Sequence, residues 1–207
     1  MSTLKATNLS HASAASPNIV LDSAGKVTFG GAVAGAGMDL ITPTSVAGTG
    51  VTVSGGAVSF TAATAVSVNG CFTSTYENYL VIFSPVATAS SQTVATRLRL
   101  SGTDATGASD YVVQQSLAYG ALIAGQTTTS STWIMGRVNT HRSPHSVFLY
   151  APALAQETSI NSVGGASDSL YTSMGYHALA TAYDGFTVYP TSSSMTGTLR
   201  VYGLRNS

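Results

Sequence analysis

From Val51 to the C-terminus the chain is a train of short segments with alternating or continuous apolar residues, each closed by Gly, Ser, Asn or Pro. "YLVIF" (79–83), "TRLRLSG" (96–102), "DYVVQQSLAY" (110–119), "STWIMGRVN" (131–139) and "HSVFLYA" (145–151) come first. "TSINSVGG" (158–165), "SLYTSMGYHA" (169–178), "DGFTVYP" (184–190) and "GTLRVYGLR" (197–205) follow. Most spacings between successive segments are near 10 to 15 residues, the rhythm of an all-β sandwich or barrel. Apolar residues at i, i+3 and i+4, the mark of an amphipathic helix, recur nowhere. A two-sheet, jelly-roll-like antiparallel sandwich of about nine strands is therefore expected.

Individual segments say more. In "TRLRLSG", Leu98 and Leu100 are expected inward and Arg97 and Arg99 outward, because side chains alternate along a strand. "YLVIF" is apolar without a break, which suits a strand covered on both faces. "VTVSGGAVSF" (51–60) reads as a hairpin about Ser54-Gly55-Gly56, and "AVSV" runs into the turn dipeptide Asn69-Gly70. The next residues, Cys71 and Phe72, are expected to alternate, so that one of them faces the core. Tyr76 and Tyr79 are expected to cap one end of the sandwich.

Residues 1–45 differ from the rest. Small residues and glycine dominate, as in "GGAVAGAGMD" (30–39). Within them "NIVLDSAGKVTF" reads as a hairpin, with strands at Ile19–Leu21 and Lys26–Phe29 joined by Asp22-Ser23-Ala24-Gly25. So small a hairpin is marginal alone in water. The domain reading is an N-terminal attachment and assembly arm over 1–45 and a β-sandwich over 46–207. The arm cannot build its own core, so Ile19, Leu21, Val27 and Phe29 are expected to be buried against other chains.

Charge narrows the function classes. Only 8% of the 207 residues are charged and the formal net charge is zero, against roughly 25% charged in ordinary globular proteins. No basic field exists to neutralise phosphates, so a nucleic-acid partner is not expected. No apolar run approaches the ~18 residues that cross a bilayer, and the N-terminus lacks the apolar core of a secretory signal. Synthesis in a cytoplasm without membrane insertion is the expectation. Net charge helps to keep proteins apart, so its absence favours association.

Candidate chemistry is sparse. Asp22, Asp104, Asp110 and Asp184 stand beside Gly or Ser in turn-like contexts, and Asp39, Glu77, Glu157 and Asp168 complete the acids. Glycan cleavage would need two of them to flank one bond. His141 and His145, in "HRSPHS", have a metal-like spacing of four, but Pro144 argues against the helix such a pair would need. The expectation is a polar loop and no metal. His11 and His177 are isolated. Cys71 is the only cysteine, which leaves no disulfide and suits a small buried group. "GGAVAGAG" has no Lys-Ser/Thr after it and is not a phosphate loop. No catalytic residue and no cofactor are expected.

One resemblance emerges from these residues. "TAVSVNGCFTSTYENYLVIF" (64–83) resembles a segment of tailed-bacteriophage virion proteins labelled tail fibre or minor tail protein. Its features are Val66–Asn69, Gly70, Phe72, Ser74, Tyr76, Asn78, Tyr79 and Leu80–Phe83. "TRLRLSGTD", "GTLRVYGLRN" and "NLSHASAASPNIVLDSAGKVTF" are similar to further parts of such proteins. The resemblance implies a non-enzymatic virion component, a fibre, spike or minor tail protein, assembled as a homotrimer with other virion proteins. It also admits contact with a host surface glycan or receptor. The alternatives are a capsid decoration protein anchored by the arm, and a glycan-binding or glycan-cleaving module.

Overall fold

The computed structural model describes residues 8–9, 19–21, 23, 27–29, 37–89, 92–167 and 169–205. They divide into two compact units, with the boundary between Gly37 and Met38. The first unit holds β1 (Asn8–Leu9), β2 (Ile19–Leu21) and β3 (Val27–Phe29), an antiparallel three-stranded sheet in the order β1-β2-β3. The expected hairpin is there, with Ile19 opposite Phe29 and Leu21 opposite Val27. Val27 is exposed. The side chains of Leu21 and Phe29, together with Asp22, Asp168, His11 and residues 30–36, lie outside the described residues.

The second unit is all β-strand and turn among its described residues. Its first strands are β4 (Met38–Ile41), β5 (Ser45–Ala47), β6 (Val51–Ser54), β7 (Ala57–Ala63), β8 (Val66–Asn69), β9 (Asn78–Phe83) and β10 (Val86–Ala87). Next are β11 (Gln92–Leu100), β12 (Thr103–Asp104), β13 (Tyr111–Tyr119), β14 (Leu122–Ser130) and β15 (Trp133–Val138). The last are β16 (His145–Tyr150), β17 (Thr158–Ala166), β18 (Ser169–His177), β19 (Gly185–Pro190) and β20 (Met195–Leu204).

Two antiparallel sheets form. One runs β14-β13-β18-β17-β16-β9-β20-β7-β6, with β4 and β10 also on β20; the other runs β12-β11-β19-β8-β5, with β15 on β11. The path β8-β19-β11-β15 and the path β9-β16-…-β13-β14 have the interleaved order of a jelly roll. The hairpin β17–β18 is inserted between β16 and β13, which widens that sheet. The sandwich begins inside the stretch read as arm, because β4 pairs with β20 and β5 with β8.

Trp133, Tyr111, Phe60, Phe83, Leu98, Phe186 and Val188 are buried in the core. Full burial of such a side chain contributes about 1.5–3 kcal/mol. Two of the polar groups that follow them inside are paired: Trp133 Nε1 donates to Ser173 Oγ at 3.0 Å, and Ser162 Oγ donates to the Met135 carbonyl at 2.8 Å.

The Gly55-Gly56 hairpin joins β6 and β7 as expected; both glycines have positive φ (53° and 77°), the signature of a tight two-residue turn. Asn69-Gly70 turns the chain differently. It is the corner where the chain leaves one sheet for the other, and Cys71 N and Phe72 N both donate to the Asp184 carbonyl. Both Cys71 and Phe72 are buried, so the expected alternation does not hold. Tyr79 is a core residue whose Oη donates to the Thr73 carbonyl at 2.8 Å; Tyr76 is the one left at the rim. Leu98 points inward, but Leu100, at the end of β11, is half exposed. On β9 the expected cover is incomplete: Ile82 is exposed on the outer side.

Candidate functional site

Two places gather polar side chains. The first is on the outer side of the six-stranded sheet. Arg99, from β11, donates through Nη1 to Asp104 of β12, to Thr187 Oγ1 at 2.7 Å and to Ser67 Oγ at 3.1 Å. Its Nε donates to Asn69 Oδ1 at 2.9 Å and its Nη2 to the Gly102 carbonyl. Thr187 Oγ1 donates to Asp104 Oδ1 at 2.7 Å. Four strands (β11, β12, β19 and β8) are tied by one guanidinium, and its donors are spent on protein acceptors. Nearby, Arg97 lies over the Tyr189 ring at 5.2 Å.

The second is a groove of about 320 Å³ between the β13–β14 hairpin and the edge of the other sheet. Gln115, Gln126, Thr128, Thr132, Arg137 and Tyr171 line it. Gln115 Nε2 donates to Thr128 Oγ1 at 3.1 Å and Tyr171 Oη donates to Gln115 Oε1, which holds the floor rigid. Burial pushes the Tyr171 phenol up to about 12, against the opposing pull of Arg137. Arg137 itself lies 5.9 Å from the Tyr119 ring. Among the described residues no carboxylate pairs with it. The groove thus offers one cation, amides and hydroxyls, with no acid along its walls.

The histidines fall into different settings. His141 is exposed in a turn; His145 opens β16 and is buried, so the pair does not share a loop. His145 stacks on Phe83 at 4.6 Å, and its ring nitrogens have no hydrogen-bond partner of good geometry. Gly136 and Gly164 leave the room it occupies; a Cβ on Gly164 would come within 2.0 Å of the ring. Burial lowers its pKa to about 4, only partly opposed by the Arg137 backbone. His177, read as isolated, is packed edge-on against Tyr111 and Tyr183 with Asp110 at 3.9 Å. Burial lowers its pKa too, against the pull of Asp110. His, Cys, Asp and Glu form no metal-holding group of three among the described residues. Cys71 is fully buried, and that burial pushes its thiol well above the usual range.

The acids are dispersed. Asp39 accepts from Tyr76 Oη at 2.6 Å and pairs with Arg205 at 2.8 Å, and these partners hold its carboxyl below the usual carboxylate range, the tyrosine first. Asp184 Oδ2 accepts from Ser101 N at 3.0 Å. The groove was not visible in the sequence, because Gln126 and Thr128 sit in "GQTTTS", a run without an apolar pattern. A clue was available in the lone Arg of "WIMGRV".

Fold and site together define a jelly-roll-like β-sandwich protein with a small uncharged-to-basic groove. No family model matches the chain, and no curated protein matches it. A solved structure, described as a protein of unknown function, SO2946, from Shewanella oneidensis MR-1, is similar at 13% identity. The match covers 82% of this chain and 79% of that one with a TM-score of 0.37.

Proposed function

We propose that the chain is a non-enzymatic structural subunit of a tailed-bacteriophage virion, a tail fibre, spike or minor tail protein assembled with copies of itself and with other virion proteins. The observation that carries the structural reading is the use of charge. Arg99–Asp104 ties two strands and Arg205–Asp39 ties a strand to the segment after β20. In a chain so poor in ions, they are spent on holding the sandwich closed. The virion assignment rests on the resemblance of residues 64–83 and of the two chain ends. Residues 1–37, a unit of their own, are suited to be the anchor. A variant lacking 1–37 is expected to fold and to stay out of particles when supplied in place of the full chain. If it enters them at the normal level, the anchor lies elsewhere.

A second reading, attachment to a host glycan, is favoured by the groove. A guanidinium without a carboxylate partner among the described residues, flanked by Gln and Thr, matches an acidic sugar, whose carboxylate takes the Arg fork and whose hydroxyls take the amides. A cleaving enzyme is tested by incubation with host capsule, where shortened chains would support it.

A further inference from the structure

The two sheets of the sandwich have unlike outer faces. The six-stranded sheet is covered by the Arg97 and Arg99 networks. The eleven-stranded sheet presents apolar side chains to solvent. Ile82, Tyr150, Val163, Leu170, Met174 and Tyr176 are all more than a third exposed, Leu170 and Met174 at 58%.

Register makes these residues one surface. Leu40, Tyr202, Leu80, Phe148, Asn161, Met174, Gln114 and Thr127 stand side by side across eight strands. The row on one side of it runs through Tyr150, Ser159 and Tyr176, and the row on the other through Ile82, Ser146, Val163 and Thr172. In these three rows Arg200, opposite Ile82, is the one charged residue. At standard strand and residue spacings, with the adjoining row of Leu170 and Ile123, the face measures about 700 Å², close to the ~800 Å² per partner of a stable interface.

We propose that this face docks a second copy of the chain, sheet against sheet, as a twofold pair. The area is near what one partner of a stable pair buries, and six large apolar side chains on it are more than a third exposed. The charge argument selects the occupant. A partner with a strongly charged surface gains little from a face that carries Arg200, with Arg142 at the border beside Val163 and Leu170. Two copies meet without an opposed row of like charges. Their Ser, Thr, Asn and Gln side chains both donate and accept, so the face is complementary to itself, as a twofold contact requires. The sequence of β9 agrees: "YLVIF" has the unbroken apolar character of a strand covered on both sides, yet the chain alone leaves Ile82 open. A second sheet packed about 10 Å away completes that cover. Combined with a threefold contact through the arm, the twofold pair would give a hexamer.

Size-exclusion chromatography with light scattering on the full chain, at tens of micromolar, tests it. The wild type is expected to have the mass of two chains or of six. Met174→Glu and Ile82→Arg, on strands well apart, each place a charge on an exposed position. Each is expected to halve the mass with an unchanged circular dichroism spectrum and melting temperature. Two sites guard against one variant misfolding. A wild type of one or three chains, or folded variants with unchanged mass, overturns the proposal.

Discussion

Arg99 holds five acceptors from one side chain. Removing its side chain leaves Asp104, Ser67, Thr187 and Asn69 without their shared donor, in a pocket where the Arg99 side chain is only 11% exposed. Breaking a buried pair from one side strands the other charge. Arg99→Ala is expected to cost about 3 kcal/mol, read as a lower urea midpoint. Arg99→Lys recovers little, because an ammonium cannot reproduce the planar fork. His145 gives the chain an acid limit. Its folded pKa of about 4 lies below the ordinary value of 6.5, so the unfolded chain takes up a proton that the folded chain refuses. Its contribution is full above pH 6.5 and is lost as pH falls toward 4, amounting to about 3 kcal/mol at most. His177 acts with the same sign, and Asp39 adds a further loss as pH falls below 3.8. Urea midpoints across pH 4–7 are expected to slope accordingly, and His145→Leu to flatten that slope. Arg137 carries the ligand prediction: under the glycan reading the wild type is expected to bind an acidic oligosaccharide in a salt-sensitive way by calorimetry, and Arg137→Ala to abolish the heat while the fold is kept.

At the scale of elements, β16, β17 and β15 depend on small residues beside His145. Gly164→Ala would drive a Cβ into the imidazole, and such overpacking costs about 1–3 kcal/mol, seen as a lower melting temperature. β14 is the opposite case. It is an edge strand whose residues 122–127 are all exposed, so its amides not bonded to β13 are expected to exchange with deuterium faster than those of β9 or β20. These two cases explain what the sequence showed. Strands with one buried and one open face, such as β13, β16, β18 and β20, announced themselves by alternation. β14 has almost no buried face and no alternation, so nothing in its sequence marks it as a strand. β4, β5, β10 and β12 are too short to carry a period. The Asn69-Gly70 turn was legible, but its use as a corner between sheets depends on Asp184, more than a hundred residues away. The groove was illegible for the same reason: Gln115, Arg137 and Tyr171 come from three strands, and only tertiary pairing brings them to one wall.

At the scale of the whole molecule, the chain has an ion-locked sandwich, a separate N-terminal unit and, on the sandwich, an open sheet face rich in exposed apolar side chains. Each suits a chain that is built into something larger; the proposal that this is a tailed-phage particle rests on the resemblance of residues 64–83 and of the two chain ends. The decisive measurement is immunogold labelling of tailed particles banded on a density gradient from the lysate of cells that produce this chain. The chain is expected to band with the particles, with gold on the tail. Gold on the head would transfer the same subunit to the capsid surface. Particles that band without the chain, while it remains in the soluble fraction, would contradict the account.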